Sequence, residues 1–178
     1  MEGRTQMHKN FNSLLIAALL LAVQAATNAS FADDVHVNAS HVKWTAPPVS
    51  YLGSQFAKAF RYRTLVGGPS APVRGKNVYF GEAEWAPGAI YVGHKHPAPE
   101  IYYVISGEAE WTIDGKTFRA TAGTAIYTKP NAVHRMVNVG DGVLKTVWMW
   151  WGEPKVLNQY PEVTEPAEQQ PAGARFDG

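Results

Sequence analysis

Between Asn77 and Gly152 the chain is cut into eight short segments: 77–85, 89–94, 100–106, 108–113, 116–120, 124–128, 133–139 and 143–151. Each is rich in Val, Ile, Thr, Tyr or Trp and is bounded by Gly, Pro, Asn or Asp. Branched and aromatic side chains suit a pleated, half-buried surface, and the bounding residues suit turns. Asp114-Gly115 stands between two alternating runs and predicts a two-residue hairpin turn; Asp141-Gly142 predicts another. Closely spaced short strands, with no long helical period and no internal repeat, predict an all-β sandwich or barrel.

The flanks read differently. Residues 1–12 carry Arg4, His8 and Lys9, and an unbroken apolar run follows from Leu14 to Val23. Ser30 and Ala32 occupy the −3 and −1 positions of a cut before Asp33. This is the pattern of a secretory signal peptide over 1–32, and the run falls short of the ~20 residues a membrane span needs. The expected mature protein is periplasmic or secreted, with no membrane attachment after cleavage. Residues 33–76, punctuated by Pro47, Pro48, Pro69 and Pro72, form an N-terminal extension with one apolar patch from Tyr51 to Val66. A short helix or turn near Gln55–Phe60 and a strand near Arg61–Val66 are expected there, packed on the barrel or on a partner. The barrel itself is assigned to 77–152. The C-terminal extension, 153–178, turns Glu-, Gln-, Pro- and Ala-rich after Pro161 and predicts a mobile tail or a strap.

Composition excludes several functions. The 178 residues are about one domain's length. With no cysteine there is no disulfide, thiolate metal site or catalytic thiol. Lys and Arg number 16 against 15 Asp and Glu, and removing 1–32 takes Glu2, Arg4 and Lys9 with it, leaving a neutral chain. That offers no basic stripe for nucleic acid.

Four residues carry the chemistry: His94, His96, Glu100 and His134. Side chains alternate along a strand, so His94 and His96 share a face, and so do Glu100 and Tyr102 on the next strand. Pro97-Ala98-Pro99 makes a bend that returns Glu100 toward the histidines. Three neutral imidazoles and a carboxylate suit one divalent transition metal ion, whether Zn, Mn, Fe, Ni or Co, better than Ca or Cu(I). Lys95, between two inward histidines, is expected to face away.

These residues resemble a known family. Gly88, five residues, His94-Lys95-His96, three residues, Glu100, six residues and Gly107 follow the first motif of the cupins. Gly123, Pro130, His134 and Asn138 resemble the second, although the stretch from Pro130 to His134 is one residue short and lacks the usual Gly. The resemblance spans 78–151. It implies a single jelly-roll barrel with a metal held by His94, His96, Glu100 and His134. More narrowly, the run from His94 to Gly107 and the strand Trp148-Met149-Trp150-Trp151 resemble the cupin lyases acting on dimethylsulfoniopropionate. That resemblance implies a catalytic base at Tyr102. A second tyrosine that some members carry is Ala89 here, with Tyr91 or Tyr79 as substitutes.

Such a lyase removes a proton α to a carboxylate and expels dimethyl sulfide, leaving acrylate. The metal spreads the charge that develops on the carboxylate. A phenol, with an ordinary pKa of ~10, needs a nearby cation to act as base. A sulfonium is best held by aromatic faces. Tyr91, Tyr127, Trp148 and Trp150 are the substrate-binding candidates, with Trp85 and Trp111 behind them. Arg61 or Arg63 is expected to orient the carboxylate. The expected partner is a small carboxylate substrate, and a homodimer formed by exchange of residues 61–66 is expected. The competing readings are another metal cupin, either a dioxygenase or a sugar-acid isomerase or lyase, and a non-catalytic periplasmic binding protein.

Overall fold

In the computed structural model residues 35–165, 170–171 and 173–176 are described. The expected signal segment lies outside the described residues. Ten strands follow one another: β1 (Phe60–Val66), β2 (Val78–Trp85), β3 (Ile90–Lys95), β4 (Glu100–Ser106), β5 (Glu108–Ile113), β6 (Lys116–Thr121), β7 (Ala125–Thr128), β8 (His134–Asn138), β9 (Leu144–Trp151) and β10 (Glu162–Val163). They pair into two antiparallel five-stranded sheets, ordered β1-β2-β9-β4-β7 and β10-β3-β8-β5-β6. This is an all-β jelly roll.

Alternation places the core between the sheets. Along β4, Tyr102 and Val104 are buried while Tyr103 and Ile105 are exposed; along β5, Ala109 and Trp111 are buried. Trp85, Trp111, Met136 and Leu144 are nearly inaccessible and make the centre. At ~25 cal/mol per Å² of apolar surface removed from water, such side chains stabilise by roughly 1.5–3 kcal/mol each.

Turn chemistry explains the joints. Asp114 and Gly115, both left-handed with φ 46° and 79°, close the β5–β6 hairpin as a two-residue turn, with Ile113 paired to Lys116. Gly107 carries the chain from β4 in one sheet to β5 in the other at φ 91°, and a Cβ there would lie 2.8 Å from Leu144 Cα. Asp141-Gly142 departs from the expected hairpin. It lies in the 139–143 connection between β8 and β9, which belong to different sheets. The buried Asn138 shapes that connection: its Nδ2 faces the carbonyls of Trp85, Ala86 and Gly142 at 3.0, 3.0 and 2.9 Å, and its Oδ1 accepts from Gly140 N at 3.1 Å.

The flanks are built into the barrel. Helix α1 (Val49–Ala59) begins earlier than expected and breaks at Leu52-Gly53. Its second part buries Phe56 and Ala59 in the core, and Phe60 already belongs to β1. β1 pairs along its length with β2 of its own chain. The tail is a strap. After the short helix α2 (Pro154–Leu157), β10 pairs with Lys95 and His94 of β3, and Lys95 Nζ lies 3.2 Å from Glu162. Gly93 N donates to Glu165 at 2.8 Å. The Gln170 side chain bonds both Ile90 N and Ile90 O at 2.8 Å.

On the outer side of the β1 sheet, Glu84 lies 2.5 Å from Arg61 Nη2 and 3.0 Å from Lys145 Nζ. Burial works to raise its carboxyl pKa, but the hydrogen bonds and charges of Arg61 and Lys145 outweigh it and hold the value below the ordinary range. A depressed carboxyl adds stability above its unfolded-state pKa and loses it as pH falls through the folded value. Glu84→Gln should therefore lower the melting temperature most at neutral pH. The gap to wild type should close on acidification below about pH 4. A gap that widens on acidification contradicts the assignment.

Candidate metal centre

Three strands deliver the polar cluster. His94 and His134 are directly paired across β3 and β8, His96 follows the end of β3, and Glu100 opens β4 in the opposite sheet. The 96–99 bend, with its two prolines, crosses between the sheets and brings Glu100 back over the histidines. All four residues are 1–2% exposed. One nitrogen from each histidine lies within 4.8 Å of the others. Glu100 Oε2 lies 3.1 Å from His96 Nε2 and 3.3 Å from His134 Nε2.

Backbone carbonyls orient each ring. His94 Nδ1 bonds Val92 O at 2.8 Å, His96 Nδ1 bonds Ala98 O at 2.8 Å, and His134 Nδ1 bonds Ala132 O at 3.0 Å. With the Nδ1 proton used on a carbonyl, a neutral imidazole turns its Nε2 lone pair inward. His134 Nε2 is fully buried with no hydrogen-bond partner. His96 Nε2 lies 3.1 Å from Glu100 Oε2, close enough for the two atoms to reach one ion. Burial first, then the proximity of His134, pushes the His94 pKa well down, so that ring is neutral. Burial works to raise the Glu100 pKa, but the His134 and His96 rings beside it bring it down to about 2. Neutral imidazoles beside an ionised carboxylate are the form in which these groups ligate. The three buried histidines could hold a metal ion, and Glu100 lies beside them.

The approach to His134 is shorter than the usual motif, and Asn131 supplies what the missing Gly would. Asn131 takes φ 61°, a conformation that asparagine tolerates better than most residues. Its N–H bonds His96 O at 2.8 Å, tying the two histidine segments together.

A cavity of about 410 Å³ leads to Glu100. Tyr91, Tyr102, Trp148 and Trp150 line it, and among the described residues no Lys or Arg does. Tyr91 stacks on His94, with centroids 3.8 Å apart, and its hydroxyl lies 3.1 Å from that of Tyr51. Trp150 Nε1 donates to Glu100 Oε1. Tyr102 lines the cavity two residues along β4 from Glu100, and its pKa is held well above 10, first by burial and then by the Glu100 charge.

Of the other sequence candidates, only Tyr79 reaches the cavity wall among the described residues. Tyr127 is half exposed and stacks on Trp151 on the outer face of β7 and β9, because its neighbours Ile126 and Thr128 take the inward positions. Trp85 and Trp111 are core, and Trp85 stacks on Phe60 at 3.9 Å. Ala89 is fully buried, and Tyr79 sits in the cavity wall with its hydroxyl on Asn158. Arg61 and Arg63 pair with Glu84 and Glu82 outside the barrel, because Phe60, Tyr62 and Thr64 are the β1 residues that line the cavity. Sequence reasoning missed Tyr51 and Tyr160, whose rings meet at 5.6 Å over the cavity. The Pro47-Pro48 pair before Tyr51 and Pro161 after Tyr160 were the available signals, since such sites mark turns that can fold back on a barrel.

Comparison with known proteins agrees with this architecture. Residues 81–150 match the cupin domain family. The chain is 36% identical over 83 residues to the dimethylsulfoniopropionate lyase DddW of Ruegeria pomeroyi, covering 47% of this chain and 53% of that one. It is 30% identical over 101 residues to an uncharacterized protein of Methanocaldococcus jannaschii, covering 53% of this chain and 81% of that one. The crystal structure of the dimethylsulfoniopropionate lyase DddQ from Ruegeria pomeroyi superposes with a TM-score of 0.63 at 24% identity, covering 73% of this chain and 64% of that one. The chain thus spans about half the length of the curated lyase it matches. With the two-sheet jelly roll and the inward histidines in place, these matches make residues 81–150 a cupin domain, one that resembles the dimethylsulfoniopropionate lyases.

Proposed function

We propose that this cupin is a metal-dependent carbon–sulfur lyase that splits dimethylsulfoniopropionate into dimethyl sulfide and acrylate. The observation that carries the reading is an aromatic cavity, lined by no lysine or arginine among the described residues, that reaches Glu100 beside three buried histidines. A divalent ion held by His94, His96, His134 and Glu100 would supply Lewis acidity to the substrate carboxylate. The indole and phenol faces of Trp148, Trp150 and Tyr91 suit the sulfonium end, since aromatic rings attract cations.

Tyr102 is the proposed base. It acts as the phenolate, its own proton having first passed to solvent: its oxygen takes the proton α to the carboxylate, the C–H electron pair becomes the C=C bond of acrylate, and the carbon–sulfur pair leaves with sulfur as neutral dimethyl sulfide. Burial and the Glu100 charge hold this phenol protonated. A cation that neutralises Glu100 removes the second of these effects. Tyr102→Phe should lower kcat by about 10²–10⁴-fold with metal content unchanged. The test supplies dimethylsulfoniopropionate to protein loaded in turn with Mn, Fe(II), Zn, Co and Ni, reading headspace dimethyl sulfide and acrylate together. No product with any metal rejects the lyase, and full turnover by Tyr102→Phe rejects the base.

A further inference from the structure

The two oxygens of Glu100 face different partners. Oε2 points to the histidines, 3.1 Å from His96 Nε2 and 3.3 Å from His134 Nε2. Oε1 accepts the Trp150 indole N–H. Strand register explains the reach: Glu100 is directly opposite Trp150 on β9 and directly opposite Thr128 on β7. The buried Thr128 hydroxyl has no hydrogen-bond partner among the described residues, so it does not serve Glu100. The Trp150 ring packs against His96 as well, with centroids 4.4 Å apart and planes 32° apart. One side chain therefore touches two of the four candidate ligands, one through its N–H and one through its ring.

We propose that Trp150 is a positioning residue of the metal centre: its N–H occupies Oε1, so that Glu100 offers the ion only Oε2, and its ring fixes the plane of His96. This rests on the metal-centre reading and not on the lyase reading. A carboxylate with both oxygens free can swing or chelate through both; with one oxygen bound by a charge-assisted hydrogen bond, it presents a single ligand atom in one direction. Tryptophan suits the place because it combines a large apolar body with one donor. Hydrogen-bond partners of metal ligands commonly change metal affinity by about 10–100-fold.

The probe is Co(II) alone, bound to the full chain. Affinity is read by competition with a chelator, and ligand geometry by the visible absorption of the ion. Trp150→Phe keeps a ring beside His96 and removes the donor. Affinity should fall about 10–100-fold and the absorption should change. In a Glu100→Ala background the same substitution should cost much less, because the carboxylate it acts through is gone. Unchanged affinity and absorption in Trp150→Phe overturn the proposal. An equal loss in both backgrounds overturns it too, since that marks a packing role. Where Trp150→Phe does not fold, benzothienylalanine at position 150, with sulfur in place of the N–H, makes the same comparison. A wild-type chain that binds no Co(II) rejects the metal centre itself, whereas one that binds it without releasing dimethyl sulfide rejects only the lyase.

Discussion

His134→Ala should strip the centre of its metal. A full set of protein ligands holds a structural zinc ion with about 10–16 kcal/mol, so each of four contributes roughly 3 kcal/mol, or at least about 100-fold in affinity. His134 is well placed for so large an effect. Its ring is 2% exposed, its Nδ1 is used on Ala132 O, and its Nε2 has no protein hydrogen bond to lose. Metal content after dialysis should fall from near stoichiometric to near background. His41→Ala is the matching control: His41 is exposed and lies in the N-terminal extension, so its loss should leave metal content unchanged. Equal metal in the His134→Ala and wild-type proteins would mean that the ion sits elsewhere.

The second large effect is on stability and concerns Asn138. Its carboxamide faces three carbonyls, those of Trp85, Ala86 and Gly142, and accepts the Gly140 N–H. Alanine there leaves several buried polar groups without partners, each costing about 1–3 kcal/mol. A total near 4 kcal/mol corresponds to a melting temperature about 10 °C lower in a chain of this size. Asn138→Asp keeps the acceptor for Gly140 but turns a second acceptor toward the three carbonyls, so it should be at least as damaging at neutral pH. Thermal unfolding of the metal-free proteins measures both. A shift of under 2 °C in either would show that the corner is held by other contacts.

Much of the barrel was readable because its strands are short, branched and separated by turn residues. The ligand histidines and Glu100 stood out by residue type and spacing. What could not be read was the choice of face or partner. Alternation tells that Arg61 and Arg63 lie opposite Phe60 and Tyr62, but not which pair faces the cavity. The same holds for Tyr127 against Ile126. Asp141-Gly142 has good turn chemistry, yet a dipeptide does not reveal whether the strands it joins pair with each other. β3 hid its alternation, since Tyr91, Val92, Gly93 and His94 are all buried. The reason lies about seventy residues downstream, where Glu165 and Gln170 cover the strand. Tyr51 and Tyr160 reach the cavity from segments without periodicity, so tertiary packing alone places them.

That cover over β3 bears on the order of assembly. The strand that presents His94 has β8 on one side and, on the other, Glu162, Val163, Glu165 and Gln170. Contacts between segments so distant in sequence close late, because the loop between them must first be ordered. His94 therefore reaches its final setting only after Glu162, Val163, Glu165 and Gln170 have closed over β3, so an ion held there would be taken up after the barrel has formed rather than as a nucleus for folding.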